Sequence, residues 1–371
     1  MTNEEISNDT YSSETPQNEL LKFVKEKLNV IRENRVFVYI IRRFMVLIPL
    51  WFGTAVLTFA MVRAMGSPAD LYIGTGRQRD VAVAIIEEQF GLNEPLHIQF
   101  WIWLQNFFTW EFGYSGYFKV KDPSPFINEL IFQTAKLQYP ALFIAISLSI
   151  PLGIIAAKNR SKLSDTLVSA LALIGYSMPI YLSGYILIVV FSGGGLDIFP
   201  TGGSAIPNRP DVQWNLVFDG DENARDRLIF NIQDDLWHLV LPLVALSFFQ
   251  LALYTRLIRS SMLEVLNQDY ILAARANGLN ERTIIWKHAL RNAIIPTITF
   301  IALSLGTALG GAPITETVFS WPGLGKVYVS SIFLIDMSII LGITMIITTL
   351  ILLSNLLADI LYVVIDPRLS L

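Results

Sequence analysis

The 371-residue chain contains no cysteine and only three histidines, His97, His238 and His288, far apart in the sequence. The first absence excludes disulfides, thiol chemistry and cysteine metal sites, and says little about compartment. The second argues against a histidine metal centre, which needs several ligands together. Charge is scarce as well. Only 16% of residues are Asp, Glu, Lys or Arg, against about a quarter in a soluble domain. The formal net charge of -4 argues against a general nucleic-acid partner. Apolar residues take the place of charge, at 53% of the chain with a mean hydropathy of +0.50. They are gathered into long blocks, and blocks of about 18 or more read as transmembrane helices. The expected fold class is an all-α, multi-pass protein of the cell (plasma or inner) membrane, in contact with the lipid bilayer.

Residues 1–17 are polar and acidic and read as disordered. In 18–35, Leu21, Val24, Leu28 and Ile31 fall on one helical face among lysines. That pattern fits an interfacial helix or a solvated helical lead-in, so 1–35 is a cytoplasmic tail with a candidate amphipathic helix. It is no signal peptide, because the apolar run begins too late and no cleavage-type site follows. Six spans are expected, at about 41–63, 136–157, 166–192, 237–258, 292–312 and 336–364. Arg42 and Arg43 open the first, and Lys158, Arg160 and Lys162 follow the second. Positive residues mark the inner side, which places both termini in the cytoplasm. External loops are expected at 66–132, where Trp101, Trp103 and Trp110 suit an interface or a small packed subdomain, and at 193–236, which is acidic.

The chain is organised around a polar, basic segment between two apolar blocks, DYILAARANGLNERTIIWKHALRNAIIP at 269–296. Gly278 permits a turn that a Cβ resists, and Asn280 suits a helix cap. The pattern predicts helix, turn, helix over about 268–276 and 281–291. Isolated helices of that length are marginal, so they need something to pack against: a partner, or the protein's own inner face. Alanines at 273, 274 and 276 permit close approach.

This segment resembles the cytoplasmic coupling segment of ABC importer permeases, and it is most similar to the B-type subunit of the oligopeptide/dipeptide/nickel subfamily. Four more stretches fit in the same order. They are FGLNEPLHIQFWIWLQNF with EFGYS, HLVLPLVALSFFQLALYTRLIRSSMLEVL, ETVFSWPGLGK, and the terminal Asp366-Pro367-Arg368. The resemblance covers roughly 36–371 as one transmembrane domain with a type I importer fold. It implies a permease subunit of an ATP-driven importer, passing peptides or a related solute brought by an external binding protein. It further implies a heterodimer with a C-type permease and two cytoplasmic ATP-binding subunits. Those subunits would use ATP and magnesium, while this chain binds no cofactor and has no catalytic residue. ATPase coupling falls, by the same resemblance, on Tyr270, Ala273, Ala274, Gly278, Leu279, His288, Ala289, Leu290 and Arg291 within 268–291. The sequence departs from the wider importer motif, which opens Glu-Ala-Ala where this chain has Leu272, Ala273 and Ala274. The later Ile-x-Leu-Pro corresponds to His288, Ala289, Leu290 and Arg291. The N-terminal tail and an acidic insertion at about 208–235 look longer than usual.

Other features carry open alternatives. Gly323-Leu324-Gly325-Lys326 is not a phosphate loop, because Val327 follows the lysine and the earlier glycine is missing. Gly306 and Gly310 allow close helix approach, within the bundle or to a partner permease. Tyr176 and Pro179, with Tyr181, either line a solute path or kink and pack the third span. Asn355 and Asp359, polar within the sixth span, are candidates by default, Asn355 for the path and Asp359 for either function or the interface. Glu316 and Asp336 are expected as exposed, solvated acids near the outer surface. A stand-alone secondary transporter or channel would show intramembrane charge pairs and broken helices in matched halves. Neither is evident in the sequence. An intramembrane enzyme would need a histidine/acid or Ser–Lys pair at membrane depth, and the histidines sit at loops or span ends.

Overall fold

The computed structural model describes residues 35–67, 77–207 and 221–365, with side chains described over 41–67, 80–207 and 221–360. The readings of 1–34, of 208–220 and of the terminal 366–368 lie outside the described residues. In chain order the helices are α1 (Arg35–Ala64), α2 (Arg77–Phe90), α3 (Leu96–Phe108), α4 (Ser124–Lys158), α5 (Leu163–Ser177) and α6 (Ile180–Phe191). There follow α7 (Glu222–Leu266), α8 (Asp269–Ala276), α9 (Glu281–Thr283), a π-helical turn (Ile284–Ala289) and α10 (Leu290–Ala293). The last are α11 (Ile295–Thr307), α12 (Pro313–Val318), α13 (Leu324–Leu334) and α14 (Met337–Ile365). No strand occurs among the described residues.

Four helices are long and apolar enough to cross a membrane, and two bent pairs raise the number to six. The pairs are α5 with α6, bent by 102°, and the 281–293 run with the 295–310 run, bent by 54°. Each bend has a proline at its cause. Pro179 has no N–H to continue α5, and it holds the preceding Met178 extended at ψ 124°. Pro296 sits in the first turn of α11, where its missing donor costs nothing but ends the helix before it. The third span is thus two short helices meeting at a sharp break, not one rod.

Two expected spans prove much longer. Helix α7 has 45 residues, about 68 Å at 1.5 Å per residue, and so overshoots a hydrocarbon core of about 30 Å. Its N-terminal extension takes up 222–236, which the sequence reading left in an external loop. The Asp221 carboxylate caps it, accepting from the Ala224 N–H at 2.8 Å. Asp235 is held by Lys136 Nζ at 2.6 Å, and Asp234 Oδ2 accepts from Ile206 N–H at 2.9 Å. Asp234 and Asp235 therefore tie the N-terminal part of this helix to its neighbours. Helix α4 likewise begins at Ser124, inside the expected first external loop.

Helices α4 and α7 form the centre, packed through Leu137, Ala141, Leu239, Leu246 and Trp321, and deeper through Leu142, Ala145 and Tyr254. Helices α11 and α14 close against them. A Cβ on Gly306 would fall 1.3 Å from Ser354 Oγ, so only glycine allows that crossing. Gly306 and Gly310 therefore serve packing within this bundle. Helix α1 lies at the edge, with 17% of its apolar window buried against 50% for α14. It is pinned by Trp51 Nε1–H donating to Thr349 Oγ1 at 2.8 Å and by Arg43 paired with Asp359 at 3.0 Å. That pair explains Asp359 structurally.

The expectation for Glu316 and Asp336 is overturned, because both are buried. Glu316 accepts from Thr134 Oγ1–H (3.1 Å), Ala312 N–H (3.2 Å) and Lys326 N–H (2.8 Å). Asp336 accepts from Ser115 Oγ–H (2.7 Å), Tyr117 N–H (2.8 Å) and Ile339 N–H (3.2 Å). A buried carboxylate is tolerated when several donors converge on it. Glu316 folds the GAPITETVFSWPGLGK turn around itself, and Asp336 straps the 111–118 segment to the start of α14. Burial still pushes the Glu316 carboxyl above its usual range, with the hydrogen bonds opposing.

Candidate functional site: the helix pair at 269–293

The organising segment folds as helix, turn, helix. Helix α8 ends in a Schellman motif, in which Gly278 N–H donates to Arg275 O at 2.9 Å and Leu279 N–H to Ala274 O at 3.2 Å. Gly278 takes φ +76° to close it, a conformation costly for any residue with a Cβ. Asn280 then caps the next helix, its Oδ1 accepting from Arg282 N–H at 3.0 Å. Across the turn, Arg275 Nε donates to Glu281 Oε1 at 2.7 Å, an exposed pair worth little alone. At the open end, Asn292 Nδ2 donates to the Tyr270 hydroxyl at 2.7 Å. The two arms are thus tied at both ends. The π turn at Ile284–Ala289 adds a residue to the second arm before it runs on into α11.

Apolar side chains fix the pair to the bundle. Ile271 of the first arm and Ile284, Ile285, Ala289 and Ala293 of the second are buried in one cluster with Ile154, Ala157, Ile258 and Met262. The last four belong to the C-terminal ends of α4 and α7. Full burial of an Ile contributes about 1.5–3 kcal/mol, so this contact outweighs the polar ties. Beside it, Arg259 of α7 grips Asp165 of α5 with two hydrogen bonds, Nε to Oδ1 at 2.6 Å and Nη2 to Oδ2 at 2.9 Å. Asp165 also accepts from Ser161 N–H (2.9 Å) and Ser169 Oγ–H (3.1 Å). The bidentate geometry locks α5 to α7 at the same end of the bundle.

The sequence-predicted residues divide between two faces. Tyr270, Ala273, Gly278, Leu279 and Arg291 are exposed, and Ala274, His288 and Leu290 are half-buried. Ala289 is fully buried in the anchoring cluster, so it fixes the helix pair to the bundle and is not on its exposed face. Exposed beside the named residues are Leu272 and Trp286, with Arg282, Thr283, Trp286 and Lys287 around an open hollow. Apolar Leu272, Leu279 and Trp286 on one small projecting unit are what a docking surface offers.

Two functional features escaped the sequence reading. The anchors Ile271, Ile284 and Ile285 were legible as apolar positions in amphipathic arms. The Asp165–Arg259 clamp had no local signal, since its partners lie 94 residues apart. The proposed path residues are not drawn into one site. Tyr176 is half exposed, stacked on Phe249 at 6.1 Å between ring centroids, with the Arg256 guanidinium 5.9 Å from its ring. Pro179 sits exposed at the α5–α6 break, and Asn355 is half-buried on α14. Among the described residues no hydrogen bond or ring contact joins Asn355 to the other two.

The family described as "Binding-protein-dependent transport system inner membrane component" matches residues 149–371, and its N-terminal counterpart matches 36–119. The chain belongs to this family. It is a membrane-spanning permease component of an ABC importer, a multi-pass inner-membrane protein working with other permease, ATPase and binding-protein components. ATP hydrolysis belongs to separate subunits, and the permease is not itself an enzyme. The chain is 37% identical over 333 residues to the oligopeptide transport system permease protein AppB of Bacillus subtilis, spanning 90% of this chain and 99% of that protein. It is 38% identical over 325 residues to the probable D,D-dipeptide transport system permease protein DdpB of Escherichia coli, spanning 86% and 93%. The dipeptide transport system permease protein DppB of Escherichia coli is 36% identical over 354 residues, spanning 89% and 98%. Among solved structures, the MetNI methionine ABC transporter in inward-facing conformations aligns with a TM-score of 0.49 at 17% identity, covering 66% of this chain and 98% of that one.

Proposed function

We propose that this permease passes peptides, and that the helix pair at 269–293 is the lever by which a cytoplasmic ATPase moves it. The observation that carries the proposal is the two-faced build of the pair. Five buried apolar residues root it in the bundle while Tyr270, Leu272, Ala273, Leu279 and Trp286 remain exposed on the projecting side. A unit capped, tied and rooted in this way moves as a rigid body, and the motion passes into α7 and α11, to which it is continuous or packed. Arg282, Lys287 and Arg291 offer charge complementarity to an acidic groove.

The peptide assignment rests on the relatives, whose names give oligopeptide, dipeptide and D,D-dipeptide transport. Nickel complexes and related small solutes are the alternatives the subfamily leaves. The complete assembly in this reading pairs the chain with a homologous C-type permease and two ATP-binding subunits. An external binding protein delivers the solute, and ATP with magnesium is used by the partners alone. Purification of a tagged chain from its native membranes in mild detergent tests the assembly. A second permease, P-loop ATPases and a binding protein should co-purify, and that binding protein should take up peptides. A chain that purifies alone and moves solute in vesicles without ATP would refute the reading.

A further inference from the structure

A second feature of the inner half has no place in that lever. Two adjoining cavities lie between α5 and α7 and share Val168, Ala172 and Thr255. The smaller, about 80 Å³, is an apolar slot walled by Leu152, Leu171, Phe248 and Leu251. The larger, about 230 Å³, opens among Ser169, Arg256 and Arg259. At their junction stands Thr255, only 2% exposed, whose hydroxyl has no hydrogen-bond partner among the described residues. A buried, unsatisfied hydroxyl between a polar mouth and an apolar slot calls for an acceptor from outside the chain.

The charges at the mouth say which kind. Arg259 is committed to Asp165. Arg256, one turn outward on α7, has no acidic partner among the described residues and lies over the Tyr176 ring. Lys158, Arg160 and Lys162 stand at the turn between α4 and α5, so the mouth opens at the cytoplasmic edge of the bundle. A ligand there meets a cation, the one unpaired hydroxyl of Thr255 and then an apolar slot.

We infer that this pair of cavities binds an acidic phospholipid of the inner leaflet. The phosphate would lie against Arg256 and Thr255, since Ser169 already donates to Asp165, and the upper part of an acyl chain in the slot walled by Leu152, Leu171, Phe248 and Leu251. Depth and amphiphilic character favour a lipid over a free anion, since the slot offers nothing polar beyond Thr255. Because the site abuts both the α5–α7 clamp and the inner end of α7, occupancy would stiffen the rod that carries the coupling arms.

The test is lipid titration of the purified, delipidated complex in mild detergent, read by native mass spectrometry without ATP or solute. Failure here would leave the importer reading standing. Phosphatidylglycerol should bind about tenfold more tightly than phosphatidylcholine, because both phosphates can reach Arg256 but the choline ammonium would face that cation and the basic turn at 158–162. Arg256→Gln should remove that preference, Arg256→Lys should restore part of it, and Ala172→Phe should weaken both lipids by filling the slot. Retained co-purification of the other subunits shows that a variant has folded. Equal affinity of wild type and Arg256→Gln for phosphatidylglycerol would overturn the inference. So would displacement of the lipid by inorganic phosphate or by a short peptide at comparable concentration, which would make the site one for a free anion or a solute carboxylate.

Discussion

Gly278 offers the sharpest test of the lever. Its φ of +76° closes the Schellman motif, and no heavy atom lies within 4 Å of where a Cβ would stand. Substitution there therefore meets backbone strain but no clash within this chain. Holding a residue with a Cβ in the left-handed region costs about 1–2 kcal/mol, enough to shift a local equilibrium about 5- to 30-fold. Gly278→Asn keeps most of the turn, because Asn tolerates that conformation. Gly278→Ala adds the strain, and Gly278→Leu adds the strain and a bulky side chain on the exposed turn. The expected series in reconstituted vesicles is near-normal ATP-driven uptake for Asn, partial loss for Ala and near-complete loss for Leu. All three should insert normally, because the strain is local and the anchoring cluster is untouched. ATP hydrolysis by the complex, measured in parallel, should become independent of solute and binding protein in the Leu variant. Wild-type uptake by Gly278→Leu would refute the coupling role of the turn.

Two further outcomes follow from buried charge. Asp165→Asn leaves Arg259 without its counter-ion and weakens the α5–α7 clamp. Thermal unfolding of the purified complex should show a loss of about 3 kcal/mol, the low end for a broken buried pair because the Arg259 side chain is 29% exposed. The second concerns pH. Burial raises the Glu316 carboxyl, so the folded state holds that proton more tightly than the unfolded chain does. Its contribution is then greatest below the ordinary carboxylate range and is lost as pH rises through the raised value. Stability of the wild type should fall over that interval, and Glu316→Gln should flatten the slope in a pH series of melting temperatures. An unchanged slope would place the titration elsewhere.

The division between sequence and tertiary structure follows from how far each constraint reaches. Length and hydropathy of the apolar blocks determined the six spans, because a hydrocarbon core of about 30 Å imposes a length that local composition must meet. The helix, turn and helix at 269–293 were equally legible, since Gly278 and Asn280 act on their immediate neighbours through a positive φ and a side-chain cap. Ends and bends were less so. Nothing local distinguished the Pro179 that breaks the third span from Pro140, Pro151 and Pro242, which are carried inside helices. Surrounding packing decides whether a proline's missing hydrogen bond ends a helix or is absorbed. Glu316 and Asp336 read as surface acids because charge is ordinarily solvated. Only the fold brought Thr134, Ala312 and Lys326 around the one, and Ser115, Tyr117 and Ile339 around the other. The Asp165–Arg259 clamp and the lipid cavity above it depend on α5 meeting α7 across some ninety residues. No local pattern encodes such a meeting, because its partners come together only when two helices distant in sequence pack.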